Sequence, residues 1–330
     1  MAKKRVLSGM RPTGRLHIGH LVGALDNWLS LQEEYECFFM AADWHALMSE
    51  YENAKGMSEN IIDNVLDWLA CGIDPDKSVI FVQSEVQEHL NLYMLFSILT
   101  PLGWLERCPT YKEQLQNLST RQLQTHAFIG YPVLQAADIL IYKAQVVPVG
   151  EDQIPHLELT REIVRRANHY FGLGLPEPQA LLTKTPRLPG TDGRKMSKSY
   201  GNTISLSESD ESLLKKVRAM ITDPARIKKT DKGHPSVCSV FLYHQTFSDK
   251  ASVEEIEREC KAGKIGCVEC KKRLYESLLL KLAPLRKRRR AIETKKDYVR
   301  DVLNEGREKA KAVASKVWEQ IDKKVFDGLR

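Results

Sequence analysis

An α/β architecture is expected for this chain: a doubly wound parallel sheet, followed by an all-helical C-terminal domain. Short β-like runs alternate with helical patterns through the first 150 residues. From about Ser205 the alternation stops and the remainder reads as helical. A length of 330 residues suits about two domains, and the expected division is 1–205 and 206–330.

The elements follow in order. Arg5-Val6-Leu7-Ser8 reads as a short strand ending at Gly9. Ile18, Leu21, Val22, Leu25, Trp28 and Leu29 recur at three-and-four spacing, which predicts an amphipathic helix over 18–31. Cys37 to Ala42 is a continuous apolar run suited to a buried strand. A helix is expected over 58–71 and strands over 79–82 and 145–149. Strand, helix, strand, helix implies parallel pairing through right-handed crossovers. Ligands in such sheets bind where strands end at their carboxyl side. That directs attention to Gly9–His20, Asp43–His45 and Gly150–Gln153. A final helix is expected over about 304–326, able to pack back on the first domain.

Composition narrows the class. With 42% hydrophobic and 28% charged residues, global disorder is excluded. No stretch is apolar enough to span a bilayer, and Met1-Ala2-Lys3-Lys4-Arg5 is not followed by a signal-peptide apolar core. Residues 1–210 carry a net charge of −6 and residues 211–330 carry +12. A basic third on an acidic body suggests a polyanionic partner; solvated helix faces are the plain alternative. Seven cysteines in a chain of this size argue against a disulfide framework and for a reducing, cytoplasmic setting.

Met10-Arg11-Pro12-Thr13-Gly14-Arg15-Leu16-His17-Ile18-Gly19-His20 lies at the first strand-to-helix junction. Such a junction offers backbone N–H groups and the positive end of a helix dipole to phosphate. His17 and His20, three apart, face one way on a helical turn and can donate to phosphate oxygens. Lys195-Met196-Ser197-Lys198-Ser199 follows the polar, glycine-bearing stretch 189–194 and reads as a flexible loop. Its lysines form a movable cationic clamp, suited to a leaving group that gathers negative charge. Tyr131 to Tyr142 reads as a helix on which Tyr131, Gln135 and Asp138 share a face. A carboxylate in that apolar run needs a partner. An arginine elsewhere in the fold would serve, and so would an indole N–H, which only donates.

His17-Ile18-Gly19-His20 and Lys195–Ser199, in that order on a strand–helix framework, resemble the paired motifs of class I aminoacyl-tRNA synthetases. Ala136-Ala137-Asp138-Ile139-Leu140 and Val147–Gln153 are similar to the tryptophan branch of that family more than to its tyrosine branch. The resemblance runs from Val6 into the final helix. It implies a Rossmann-like catalytic domain, a helical anticodon-binding domain, and ligation of L-tryptophan to tRNA(Trp) through an adenylate. It implies ATP with Mg2+ as cosubstrate and a homodimer, with no membrane or DNA partner.

Carried over by residue, the resemblance assigns catalysis to His17, His20, Lys195 and Lys198. ATP is assigned to Arg11, Pro12, Thr13, Gly19, His20, Gly150, Glu151, Asp152, Leu188, Lys195, Met196, Ser197, Lys198, Ser199 and Lys112. Tryptophan is assigned to Asp138 at the indole nitrogen, with Tyr131, Gln135, Ile139, Val147, Val149, Gln153, Gly9 and His45 completing the pocket. Two residues depart from the family pattern. Gln135 stands where many members carry an apolar methionine-like side chain, and Leu7 replaces an aromatic on the first strand.

Cys238, Cys260, Cys267 and Cys270 form the pattern C-x21-C-x6-C-x2-C. Four thiolates suffice for zinc or for an iron–sulfur cluster, and spacing does not choose. Zinc is the commoner structural metal. The resemblance favours [4Fe–4S], held by a minority of the tryptophan branch on a motif whose first gap is one residue longer. Cys37, Cys71 and Cys108 read as small core hydrophobes. Two readings from other classes compete. A synthetase-like RNA-binding regulator would have damaged nucleotide motifs, and a small nucleotidyltransferase would lack the basic helical third.

Overall fold

The computed structural model describes residues 3–108, 125–182 and 188–327. Five parallel strands make one sheet in the order β3-β2-β1-β4-β5, where β1 is Arg5–Met10, β2 Glu36–Ala41, β3 Ser78–Val82, β4 Val146–Val149 and β5 Gln179–Leu182. Strand order reverses about β1, which pairs with β2 in the register Leu7↔Phe38 and with β4 through Val6↔Val146. The expected α/β class is therefore found, and β5 is an addition. Its four residues are mostly exposed and carry no alternation or unbroken apolar run, so pattern reading had no signal for it.

The chain separates into two compact units that are not consecutive halves. The first comprises Met1–Gly14, Asn27–Lys184 and Lys296–Arg330; the second comprises Arg15–Asp26 and Thr185–Lys295. This partition differs from a single division at 205. Backbone pairing explains part of the difference. The Ile18 N–H donates to Ile204 O at 2.9 Å, the Leu206 N–H donates to Leu16 O at 3.1 Å, and His17 bridges Ser205. The segment after Gly14 is thereby stitched to the segment around 205.

In the first unit the sheet is buried by the helices Glu88–Leu99, His126–Ile141, Ile154–Phe171 and Tyr298–Val325 around one apolar core. Thr125 caps the helix His126–Ile141 by accepting from the Phe128 N–H. Pro132 lies inside that helix, further in than the first-turn position expected for it. The final helix begins at Tyr298, earlier than expected. Its buried residues Val299, Val302, Leu303, Gly306, Ala310, Ala314, Val317 and Ile321 form a stripe of small and branched side chains. At Gly306 the helix meets β3 so closely that a Cβ would fall on the Ile80 carbonyl oxygen. Among the described residues, no helix is long and apolar enough to cross a membrane.

The helix predicted over 18–31 is broken into three modes. An α-turn at Ile18–His20 passes into a π-turn at Leu21–Leu25 and resumes as α-helix over Asp26–Glu34. A π-turn inserts a residue into the ladder and is frequent at functional sites. Here it directly follows the histidine pair.

Candidate active site

In the second unit, the two nucleotide-type motifs are neighbours. His17 caps the helical turn it opens: its Nδ1 accepts from the Gly19 N–H at 3.1 Å, and His20 Nδ1 accepts from the His17 N–H at 3.1 Å. Each Nδ1 is thus an acceptor, which assigns the proton of each neutral ring to Nε2. The rings lie 3.8 Å apart. Burial, followed by the charge of Lys198, lowers the His17 pKa to about 4. Burial, then His17 and Lys198, lower that of His20 to about 3. Both imidazoles are therefore neutral Nε2–H donors at neutral pH. Gly19 is required for close approach, since a Cβ there would sit 2.9 Å from the His17 ring and 3.1 Å from Met196 Sδ.

The lysine-bearing segment is more structured than a flexible loop. Pro189 bridges Lys195, the Gly190 N–H donates to Arg194 O at 2.6 Å, and Gly193 and Gly201 adopt left-handed φ values of 79° and 63°. Buried Asn202, which sequence reasoning missed, ties the segment together. Its Nδ2 donates to Asp192 Oδ1 at 2.7 Å and to Lys195 O at 3.1 Å, and its Oδ1 accepts from the Ser197 N–H at 2.8 Å. Lys195 remains exposed, while Met196, Ser197 and Lys198 are half-buried. Lys198 and Ser199 enter a 3-10 turn over Lys198–Tyr200. Leu188 is buried at the start of this region.

In the first unit, Asp138 is 1% exposed and lies near the end of the helix His126–Ile141. Among the described residues no arginine pairs with it. Its Oδ2 accepts from His45 Nε2 at 2.7 Å, and its Oδ1 accepts from His89 Nδ1 at 2.6 Å. Gln83 Nε2 donates to both oxygens, at 2.8 and 2.9 Å. Burial alone would raise the carboxyl pKa; the bonds from His45 and His89 outweigh it and bring the value down to about 2. His45 and Gln83 follow the ends of β2 and β3, where a parallel sheet places its ligand-facing residues. Gln83 and His89 were missed from sequence. The position of Gln83 immediately after a strand was the available signal.

A second chain of contacts lies in the same unit. His156, also missed, accepts from the Tyr131 hydroxyl at Nε2 over 2.7 Å and donates from Nδ1 to Gln153 Oε1 at 2.9 Å. Gln153 Nε2 in turn donates to Asp152 Oδ2 at 3.3 Å. Burial lowers the His156 pKa to about 4, against a raising influence of Asp152. The neutral ring accepts the Tyr131 O–H at Nε2, which leaves the phenolic oxygen to act as an acceptor toward other groups.

The other expected residues are placed as follows. Gly9 lies on β1, and Arg11, Pro12 and Thr13 come after it, with Arg11 Nη1 donating to Ser49 Oγ at 3.4 Å. Gly150 precedes the 3-10 turn Glu151–Gln153 at the end of β4, with Glu151 and Asp152 exposed. Ile139, Val147 and Val149 are members of the apolar core. Gln135 is half-buried one turn before Asp138. Lys112 lies outside the described residues.

The four cysteines come from three helix ends in the second unit. Cys238 precedes Ser239–Phe247, Cys260 is in Lys250–Lys261, and Cys267 and Cys270 open Cys267–Glu293. All four are half-buried. Burial, then Cys238, Cys260 and Cys267, push the Cys270 thiol up to about 12. Arg226 Nη1 lies 3.7 Å from Cys260 Sγ and 4.0 Å from Cys267 Sγ, while its Nη2 donates to Lys229 O at 2.7 Å and Ile265 O at 2.6 Å. The thiols of Cys260 and Cys267 thus lie beside a fixed cation, and the Cys270 thiol is close enough to the other three to feel their charge. Yet among the described residues no three His, Cys, Asp or Glu side chains are grouped to hold a metal ion.

The basic block on the same long helix is divided in role. Arg286 Nη1 is bound to Asp210 Oδ1 at 2.5 Å and Arg289 Nε to Glu293 Oε1 at 3.1 Å. Lys287, Arg288 and Arg290 are exposed.

A sequence model described as "tRNA synthetases class I (W and Y)" matches residues 2–282. The chain is 54% identical to a tryptophan–tRNA ligase of Thermotoga maritima, over 96% of this chain and 97% of that protein. It is 44% identical to that of Aquifex aeolicus, over 97% and 98%. Among solved structures, a tryptophanyl-tRNA synthetase from Campylobacter jejuni complexed with ADP and tryptophan matches with a TM-score of 0.87 and 33% identity, covering 98% of this chain and 99% of that one. The histidine pair beside the lysine segment and the buried carboxylate thus occur in a chain matched along nearly its whole length, and this chain belongs to the class I tRNA synthetases of the tryptophan and tyrosine family.

Proposed function

We propose that this chain ligates L-tryptophan to tRNA(Trp). The tryptophan carboxylate attacks the α-phosphorus of Mg-ATP, forming a P–O bond as pyrophosphate leaves. A terminal ribose hydroxyl of the tRNA then attacks the acyl carbon, and AMP leaves. Positioning and charge stabilisation dominate the first step. His17 and His20 donate through Nε2 toward the α-phosphate region, and Lys195 and Lys198 neutralise the departing pyrophosphate. Arg11, Pro12, Thr13, Gly150, Glu151, Asp152 and Leu188 are assigned to the nucleotide. The Tyr131 oxygen, whose proton is given to His156, and Gln153 suit the substrate ammonium, and Asp138 suits the indole N–H.

The buried, ionised Asp138 carboxylate carries the choice of tryptophan. A phenol-sized substrate would leave that acceptor unmatched, and such sites discriminate strongly without editing. Amino-acid-dependent pyrophosphate exchange tests the reading: tryptophan supports exchange and tyrosine does not. Equal exchange with tyrosine would refute it. Lys195→Ala is expected to lower the exchange turnover by ~10- to 100-fold while tryptophan affinity is retained. A change confined to tryptophan affinity would remove Lys195 from the pyrophosphate step.

Exposed Lys287, Arg288 and Arg290 suit tRNA phosphates on the helical region. Cys238, Cys260, Cys267 and Cys270 would hold a [4Fe–4S] cluster, with zinc as the alternative. Their all-thiol donor set and the Arg226 cation fit an anionic thiolate centre. The cluster would supply structural rigidity to the anticodon-binding region. Protein purified without oxygen is expected to be brown and to absorb near ~400 nm; colourless protein containing zinc would decide for the alternative. Exposed Met94 and Ile98, at 61% and 69% and four residues apart on the helix Glu88–Leu99, share an apolar face that suits a homodimer contact. The setting in which the protein works is the cytoplasm.

A further inference from the structure

We propose that Gln83 and His89 are positioning residues for tryptophan selectivity: they hold the Asp138 carboxylate from its sealed side, while His45 is the donor that yields Oδ2 to the substrate's indole N–H. This rests on Asp138 being the indole partner.

The argument begins with acceptor capacity. A carboxylate offers about four lone-pair sites, and here both oxygens already accept from two donors each. A substrate N–H therefore gains a place only when one protein donor gives way. The donors differ in what they can do next. Gln83 and His89 are 0% exposed, so either would be stranded away from water. The His45 side chain is 13% exposed and follows the end of β2, so it has solvent to turn toward.

The sealed donors are each fixed in one sense. Gln83 Oε1 is buried and, among the described residues, has no hydrogen-bond partner. The amide is thus oriented by donation to Asp138 alone, and flipping it would set an oxygen against the carboxylate. His89 is fixed by Tyr142, whose hydroxyl lies 2.8 Å from His89 Nε2. Burial, then Asp138 and Glu88, raise the Tyr142 pKa well above its ordinary value, so the phenol keeps its proton and donates it to Nε2. That leaves Nδ1–H for Asp138. Asp138 and Tyr142 are four residues apart, so one imidazole spans two successive turns of a single helical face. The result is a carboxylate locked at Oδ1 and exchangeable at Oδ2.

The test compares tryptophan with 3-benzothienylalanine, which keeps the bicyclic shape and lacks the N–H, by their KM values in pyrophosphate exchange. Wild-type protein is expected to favour tryptophan by ~10²-fold or more. Gln83→Met and His89→Phe reduce that preference by about tenfold, with the KM for ATP unchanged. His89→Asn, which retains a donor close to the Nδ1 position, recovers most of the preference. Equal losses for both amino acids in Gln83→Met and His89→Phe would show a merely structural role and overturn the proposal. Gln83→Met, with nearly the native volume, decides alone if His89→Phe does not fold. Asp138→Ala separates the two readings. A preference that survives it removes the indole role of Asp138. A preference lost in Asp138→Ala but kept in Gln83→Met overturns only the positioning role.

Discussion

His20→Ala is expected to lower the turnover of tryptophan-dependent pyrophosphate exchange by ~10²- to 10³-fold, with the KM for tryptophan within about twofold. The expectation follows from how the pair is wired. His20 Nδ1 accepts from the His17 N–H, and His17 Nδ1 accepts from the Gly19 N–H. Both rings must then carry their proton on Nε2, which makes them donors without making them cations. Burial and Lys198 keep them neutral. A neutral donor beside a lysine can stabilise charge as it develops on phosphate without repelling the lysine that follows the leaving group. Removing His20 also strips the acceptor from the His17 N–H, so the turn itself loosens. A drop only in tryptophan affinity would contradict the assignment.

The same histidines predict an acid-side effect on stability. Their folded pKa values, about 4 for His17 and about 3 for His20, lie below the ordinary 6.5. Between those limits the unfolded chain binds protons that the folded chain does not, so stability rises with pH. The contribution is complete above about 6.5 and is lost as pH falls toward the folded values. Urea midpoints measured at pH 7 and pH 5 are expected to differ less in His20→Ala than in the wild type. An unchanged difference would mean that His20 is accessible enough to titrate normally.

Gly306→Val is expected to prevent accumulation of folded protein at 37 °C, or to reduce the unfolding free energy by more than ~3 kcal/mol. At this position the helix Tyr298–Val325 has its backbone against the Ile80 carbonyl on the outermost strand β3, and there is no space for a Cβ. The clash is with backbone rather than with a flexible side-chain tip, so no rotamer change relieves it. The helix would have to lift from β3, uncovering Val302, Leu303 and Ala310 with it. Thermal melting compared with Gly103→Ala, where a Cβ meets no atom within 4 Å, provides the control. Similar melting temperatures for the two variants would disprove the close approach.

Much of this arrangement is legible in the sequence. Apolar runs bounded by helical periodicity marked β1 to β4, because buried parallel strands must be continuously apolar. Asp138 stood out because a carboxylate in an apolar run demands compensation. His17, His20, Lys195 and Lys198 stood out because donors and cations at strand–helix junctions and loops suit phosphate. β5 escaped notice because its residues are largely exposed, and the π-turn at Leu21–Leu25 because a one-residue insertion hardly disturbs an amphipathic pattern.

Residue order alone specified the parallel α/β class, the basic helical third, the motif residues and the identity of the buried acid. These depend on local periodicity and on the chemistry of single side chains, which the chain carries wherever it goes. Tertiary packing decided which donors surround that acid, which tautomers the histidines hold, and which segments form each compact unit. Gln83 and Tyr142 are 59 residues apart along the chain and join one network, through Asp138 and His89, only because β3 and two helices share one core. Hydrogen-bond partners so distant in sequence have no pairwise pattern to read, so their roles emerge only when burial removes water as the alternative partner.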